Sequence, residues 1–261
     1  MNILNRVDPT SRLLALALLT TPLLLSIDIV SASLSLLFTV LLAPLCGVGP
    51  ARLLRRGWPL LILAPLTGLG MLLYGRAGGE TLFQWGFIHV TENSVQLAAA
   101  VTVRVFAVGL PAVVLTADLD PTRLGDGLAQ LWRLPARFVI GAVAGVRLVT
   151  LFRHDWSAVD RARRARGLAD QHPIVRLPSQ AFSLLVLALR RGGKLATAME
   201  ARGFGATTGA DGRPVTRTWA RTSRFSSWDA TLLITCLAIS VFCLVIAVWT
   251  GHFRLLGVAG G

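Results

Sequence analysis

"ATLLITCLAISVFCLVIAVWT", residues 230–250, carries no charged side chain. The hydrocarbon core of a bilayer is about 30 Å thick, and a helix needs roughly 20 apolar residues to cross it. The stretch therefore predicts a membrane-spanning helix. The whole chain agrees, because 54% of its 261 residues are hydrophobic and only 15% are charged, with a mean hydropathy of +0.64. Such values are typical of a membrane protein and not of a globular one.

Four further apolar helices are predicted before this one. Residues 13–45 are apolar almost throughout, but Asp28 interrupts the run, so two short helices joined by a tight turn fit best. Residues 58–75 and 94–116 predict a third and a fourth helix. We therefore expect an all-α, polytopic membrane protein with about five transmembrane helices. No small-residue cleavage pattern ends the first apolar run, so we expect a retained helix and not a removed signal.

The apolar run 136–152 does not clearly predict a membrane span, because it carries Arg147 near its end. We interpret it as a helix that is buried against the membrane helices or lies at the interface. A sixth span would divide the basic residues of the chain between the two sides of the membrane.

The positions of the basic residues predict the orientation. The loop 46–57 contains three arginines, and the segment 117–229 holds eighteen of the twenty-six basic residues. By the positive-inside rule, both regions and the N-terminus are cytoplasmic and the C-terminus is outside. We thus expect N-terminal transmembrane helices in residues 1–116, a cytoplasmic module in 117–229, and a C-terminal transmembrane helix with a short external tail in 230–261.

The cytoplasmic segment is predicted to be helical and contains a repeated motif. Asp120 and Pro121 are favoured residues at a helix start and predict a short helix that ends near residue 134. The motif Ala-x-x-Ala-Arg-Gly followed by an apolar residue occurs twice, in "ARRARGLAD" (162–170) and in "AMEARGFGA" (198–206). We expect one helix to run from 136 to 166 and another from about 179 to 202, each stopped by the glycine that follows in the left-handed conformation.

Each motif places two alanines and an arginine on one face of the last helical turn. Ala162, Ala165 and Arg166 stand at i, i+3 and i+4, as do Ala198, Ala201 and Arg202. The alanines make the face flat, and the guanidinium is a planar fork suited to a carboxylate. A single copy could be ordinary C-terminal capping, but two copies favour a shared docking task. The other arginines nearby, such as Arg161, Arg163 and Arg164, are expected to be solvated or near anionic headgroups.

Three other kinds of protein fit the sequence less well. The four histidines are scattered and the three cysteines form no CxxC, which argues against a membrane enzyme or a metal site. The net charge of +13 would suit a membrane-tethered nucleic-acid binder, but no reading motif accompanies it. A self-sufficient secondary transporter is suggested only by Arg104 and the prolines, and Arg104 is expected to pack against neighbouring helices or to snorkel. No GxxxxGK motif is present, so any ATP-derived energy must come from another chain.

The chain resembles the transmembrane T component of energy-coupling-factor transporters, the family that includes permease subunits of cobalt and biotin uptake systems. "DPTSRL" (8–13), "VRVFAVGLPAVVLTADLDPTRLGDGLAQLWRLP" (103–135), "GVRLVTLFRHDWSAVDRARRARG" (145–167) and "LALRRGGKLATAMEARGF" (187–204) carry the resemblance. Gly192 and Gly193 depart from the pattern, because the family usually has helix formers there, and a kink is possible at that point.

The resemblance implies a non-catalytic scaffold without a cofactor or metal, in the plasma membrane of a prokaryote. Two long cytoplasmic coupling helices would cross, and each arginine would enter a groove on one of two ABC-type ATPase subunits. A membrane-embedded substrate-binding (S) subunit would be the other protein partner, and nucleic acid is not one. The cargo, a vitamin or a metal ion, is not readable from this chain. The docking residues implied are Ala165, Arg166, Gly167, Ala201, Arg202 and Gly203.

Overall fold

The computed structural model of the chain describes residues 3–25, 28–74, 81–85, 88–168, 173–206 and 218–250. The helices and strands, in chain order, are α1 Pro9–Leu25, α2 Ile29–Leu42, α3 Pro50–Tyr74, β1 Thr81–Trp85, β2 Ile88–Thr91, α4 Glu92–Leu115, α5 Pro121–Gln130, α6 Ala136–Ala165, α7 Pro173–Ala201 and α8 Ser227–Trp249. The predicted all-α class is confirmed, with one addition: β1 and β2 form an antiparallel hairpin before α4.

The chain forms two compact units. Residues 1–120 and 224–261 make the first unit, which contains α1–α4, the hairpin and α8. Residues 121–223 make the second unit, which contains α5–α7. In the first unit, α4 contacts α1, α2 and α3, while α8 contacts α1 and α2.

The first unit packs like a protein surrounded by lipid. The buried side chains of α2 and α8 are small, whereas many large apolar side chains of the unit are exposed. Without a hydrophobic drive between helices in a bilayer, small residues allow close packing, and large apolar residues face the lipid tails. The buried residues of α2 and α8 are Ser31, Ala32, Ser35, Thr39, Asp229, Cys236, Ser240, Cys243 and Ala247.

Three of the described helices, α3, α4 and α8, are long and apolar enough to cross a membrane. The predicted division of residues 13–45 into two helices is confirmed, because α2 begins directly after Asp28, whose carboxylate accepts a hydrogen bond from the Ser31 N–H at 3.0 Å. These two helices are shorter. At 14 residues, α2 is about 21 Å long, which is less than the roughly 30 Å of a bilayer core.

Helix α3 begins earlier than predicted. Arg52, Arg55 and Arg56 were placed in a loop, but they lie in the first two turns of α3. Pro50 is the first residue of that helix, a position where the missing proline N–H costs nothing. Farther along, a Cβ on Gly68 would stand 2.1 Å from Thr102 Oγ1 of α4, so the absence of a side chain is what allows these two helices to touch.

The second unit is built around two long helices, of which α6 follows Pro135 and α7 begins at Pro173. The predicted helix from 136 is confirmed as one 30-residue helix, and α5 packs on it where Gly125 meets Val143. The predicted start of α7 near Ser179 is wrong, since α7 begins at Pro173 and contains Pro178. Residues 176–180 are held to α6 by side-chain hydrogen bonds, which keeps this turn helical. Gly192 and Gly193 lie inside α7 without ending it.

Candidate partner-binding site

The ends of α6 and α7 are built alike. Gly167 has φ +72° and Gly203 has φ +73°, so the predicted left-handed stop is confirmed at both positions. At the end of α6, the N–H of Leu168 donates to Arg163 O and the N–H of Gly167 donates to Arg164 O, both at 3.0 Å.

The end of α7 repeats this pattern. The N–H of Phe204 donates to Met199 O and the N–H of Gly203 donates to Glu200 O, both at 2.9 Å. This pair of bonds is the Schellman motif, which satisfies the last carbonyls of a helix. Arg166 and Arg202 are therefore each the last residue before the glycine at which the chain turns out of the helix.

The motif residues are exposed at both ends. Within each motif the two alanines and the arginine, together with the glycine that follows, lie at the surface of the second unit. A Cβ added at Gly167 or Gly203 would meet no atom within 4 Å, so the space beside each turn is open. Each end therefore presents two exposed alanines beside the arginine of its motif, at the end of a helix where the backbone dipole favours positive charge. The residues concerned are Ala162, Ala165, Arg166, Gly167, Ala198, Ala201, Arg202 and Gly203.

A carboxylate on α6 gathers hydrogen bonds from both long helices. Asp160 accepts from Arg164 one turn later on α6, and from Arg176 and Gln180 on α7. Gln180 is 1% exposed, although it is polar. The hydrogen bond from Arg164 is the main reason that the pKa of Asp160 lies below its usual range, and burial opposes this shift. A charged Asp160 is thus part of the contact between α6 and α7.

A second carboxylate joins the helices farther from their connection. Both terminal nitrogens of Arg191 of α7 donate hydrogen bonds to the carboxylate of Asp155 of α6, and the Nη2 to Oδ1 distance is 2.9 Å. Such a two-point contact fixes the orientation of the guanidinium as well as its position.

Two of the arginines expected to be solvated make specific contacts. Arg163 Nη1 donates to Ser179 Oγ at 2.9 Å, and Arg164 binds Asp160. The expectation was therefore wrong for these two residues. The sequence did contain a signal for the second of them, because Asp160 and Arg164 stand at i and i+4 on a helix. The contacts of Asp155 and Asp160 with α7 join residues 16 to 36 positions apart and have no local signature.

The first unit contains a polar cluster that we name the N-terminal anchor, formed by Asp8, Arg12 and Asp229. Arg12 donates to the carbonyl oxygens of residues 4, 7 and 117. Asp229 accepts the N–H of Asp8 at 2.8 Å and the N–H of Ser226 at 2.7 Å. Residues 8–13 had no predicted role beyond the family resemblance. The anchor ties together the start of α1, the segment that follows α4 and the start of α8.

Arg104 is held within the first unit. Its guanidinium donates to the carbonyl oxygen of Leu23 at the end of α1, which agrees with packing against a neighbouring helix. Among the described residues there is no group of three or more His, Cys, Asp or Glu side chains that could hold a metal ion.

The chain matches the model of the cobalt transport protein family CbiQ over residues 1–211. It is also similar to several proteins named energy-coupling factor transporter transmembrane protein EcfT. The protein of Brevibacillus brevis is 29% identical over 77% of this chain and 80% of its own length. The proteins of Streptococcus equi and Bacillus subtilis are 27% and 26% identical, over 93% and 89% of this chain and 93% and 91% of their own lengths.

The match to the family model covers most of the chain, and the three relatives align over 80 to 93% of their own lengths. Apolar helices with small buried side chains agree with the membrane location that these names imply. The chain therefore belongs to the CbiQ family of cobalt transport proteins, as a transmembrane (T) component of the energy-coupling-factor type.

Proposed function

We propose that the chain couples two cytoplasmic ABC-type ATPases to a membrane-embedded S subunit, so that ATP hydrolysis by the former drives uptake through the latter. Arg166 and Arg202 each enter a groove on one ATPase and meet acidic side chains there. The flanking Ala165, Gly167, Ala201 and Gly203 leave room for the groove walls. The chain itself transmits motion and carries out no chemistry, and its cargo is a vitamin or a metal ion.

The observation that carries this proposal is that α6 and α7 end in the same way. The same hydrogen bonds, the same left-handed glycine and the same exposed cation recur 36 residues apart. A lone cap needs no partner, but two matched, exposed ends suit two related partners.

The contacts between α6 and α7 also support two separate partners. Arg163 lies against Ser179, whereas Asp155 lies against Arg191, so residue numbers fall along α6 as they rise along α7. The helices are thus antiparallel where they touch. Their C-terminal ends point away from each other, and two ATPases could bind without competing for one surface.

The proposed topology places residues 1–116 and 230–261 in the membrane and residues 117–229 in the cytoplasm of a prokaryotic cell. The N-terminus is cytoplasmic and the C-terminus is external. The excess of arginine in 117–229 is the support for this orientation.

The experiment is to change Arg166 and Arg202 to Ala and to purify the tagged chain from host membranes in mild detergent. We expect the ATPases to be lost from the double variant and retained in part by each single variant. Removing one side of a buried, hydrogen-bonded charge pair costs about 2 to 5 kcal/mol, which is roughly a 30-fold or greater loss of affinity.

Arg161→Ala with Arg190→Ala is the matched control, because it removes the same charge from exposed positions of the same two helices. The control should retain both ATPases. Retention of both ATPases by the Arg166→Ala/Arg202→Ala variant would refute the docking role.

A further inference from the structure

The ion pair between α6 and α7 lies at equivalent positions before the two copies of the repeated motif. Arg166 and Arg202 are 36 residues apart in the sequence. Asp155 and Arg191 are also 36 residues apart, and they bind each other. The contact therefore joins a position before the first copy to the corresponding position before the second.

The pair divides the two helices into equal arms. Asp155 is 11 residues before Arg166, and Arg191 is 11 residues before Arg202. At 1.5 Å per residue each arm is about 16 Å long. Eleven residues also make about three full turns, so each terminal arginine lies near the same side of its helix as the residue of the pair.

The pair has the geometry of a fixed contact. Both terminal nitrogens of Arg191 bind the two oxygens of Asp155, whose side chain is only 13% exposed. A shift of one helix along the other by one turn would move the partners apart by about 5 Å, which breaks both hydrogen bonds. The pair therefore selects one register for the contact of the two helices.

We propose that Asp155 and Arg191 form the pivot of the α6–α7 pair and hold the two docking arginines at equal distances from it. This inference rests on the proposed function, because equal arms matter only if both tips engage partners. With equal arms, closure of two similar ATPases displaces both tips by the same amount. Asp155 and Arg191 are thus positioning residues that do not themselves touch the ATPases.

The test measures the distance between the arms in the full chain, in lipid nanodiscs. Spin labels are placed on Arg161→Cys and Thr197→Cys, which are equivalent exposed positions six residues beyond the pair. Cys46, Cys236 and Cys243 are first replaced by Ala. We expect one narrow distance distribution for this background. Asp155→Arg or Arg191→Asp should broaden and shift it, and the double variant with both changes should restore it.

Two controls separate positioning from a loss of folding. Arg190→Asp makes the same change of charge as Arg191→Asp at the neighbouring exposed position, and it should leave the distribution narrow. The unfolding temperature of each variant is also measured, and distances are compared below the lowest of these temperatures, because reversing one charge of a pair whose Asp155 side chain is 13% exposed also lowers stability. A narrow, unshifted distribution in both single reversals would overturn the proposal. So would a double variant as broad as the single ones.

Purification with the host ATPases gives a second readout. Capture of two ATPases by one chain should fall in each single reversal and return in the double variant, because the tips themselves are unchanged. Equal capture by all these variants would count against the pivot. If instead the Arg166→Ala/Arg202→Ala variant keeps its ATPases, the docking proposal fails, and the distance measurement still decides whether the pair fixes the arms.

Discussion

Replacing Arg12 by Ala should destabilise the first unit strongly, although Arg12 lies far from the proposed docking residues in the sequence. Its side chain is 3% exposed, and its guanidinium donates to the carbonyl oxygens of Leu4, Val7 and Ala117. The N-terminal anchor depends on these bonds, because they connect the start of α1 to the segment that follows α4.

The magnitude follows from the contacts. The bonds to Val7 and Ala117 are long, at 3.4 Å each, so the carbonyl of Leu4 is the main acceptor left unsatisfied. One such buried group costs about 1 to 3 kcal/mol. Losing two buried methylenes of the stem adds about 1.6 kcal/mol. We expect a total of about 3 to 5 kcal/mol, a large share of the roughly 5 to 15 kcal/mol that stabilises a folded domain.

The assay is denaturant unfolding of the detergent-purified chain. Arg6→Ala is the control, because Arg6 is exposed and lies 5.4 Å from the ring centroid of Trp228, a contact worth about 0.5 to 1 kcal/mol. Arg12→Lys should fall between the two, because an ammonium lacks the planar fork. If Arg12→Ala is as stable as Arg6→Ala, the anchor does not hold this unit together.

Three further predictions concern Gly68 of α3, the Gly192–Gly193 pair of α7 and Asp160 of α6. Gly68→Leu should separate α3 from α4 and lower the unfolding temperature, since even a Cβ would clash with Thr102; an unchanged temperature would contradict the close packing. Gly192→Ala combined with Gly193→Ala should raise stability by up to about 2 kcal/mol in denaturant unfolding, because the added methyls meet open space and each glycine in a helix costs about 0.8 to 1.0 kcal/mol; a loss of stability would indicate a bend that the glycines permit. The pKa of Asp160 is lowered on folding, so its contribution to stability is present above the unfolded pKa of about 3.9 and disappears as pH falls through the lower folded pKa. Asp160→Asn should remove that part of the acid dependence of unfolding. Identical acid unfolding of the variant and the unchanged protein would refute this prediction.

Several helix boundaries were predictable because their signals are local. Asp28 interrupts an apolar run and is itself the cap of α2, so the break between α1 and α2 could be read from the sequence. Gly167 and Gly203 likewise end helices through their own backbone conformation. The start of α7 was missed because Pro173 and Pro178 both read as helix boundaries, whereas contacts with α6 hold that turn in helical form.

The charge contacts of the second unit were not predictable in the same way. A helix surface rich in arginine reads as solvated unless the positions of distant carboxylates are known. Asp155 and Asp160 acquire their partners only when α7 lies against α6. The N-terminal anchor is similar, because the backbone N–H of Asp8 donates to the carboxylate of Asp229, which is 221 residues away in the sequence. Such contacts depend on the tertiary fold and leave no pattern in any short window.

The most direct measurement is photo-crosslinking from the two helix ends in living host cells. A photoreactive amino acid is placed at Ala165 or at Ala201. The control position is Ala142, which is exposed and lies 23 residues before Ala165 on α6. The account predicts that ultraviolet light joins both end positions, and not the control, to an ATPase subunit. Absence of an ATPase adduct from both end positions, with the protein correctly inserted in the membrane, would contradict it.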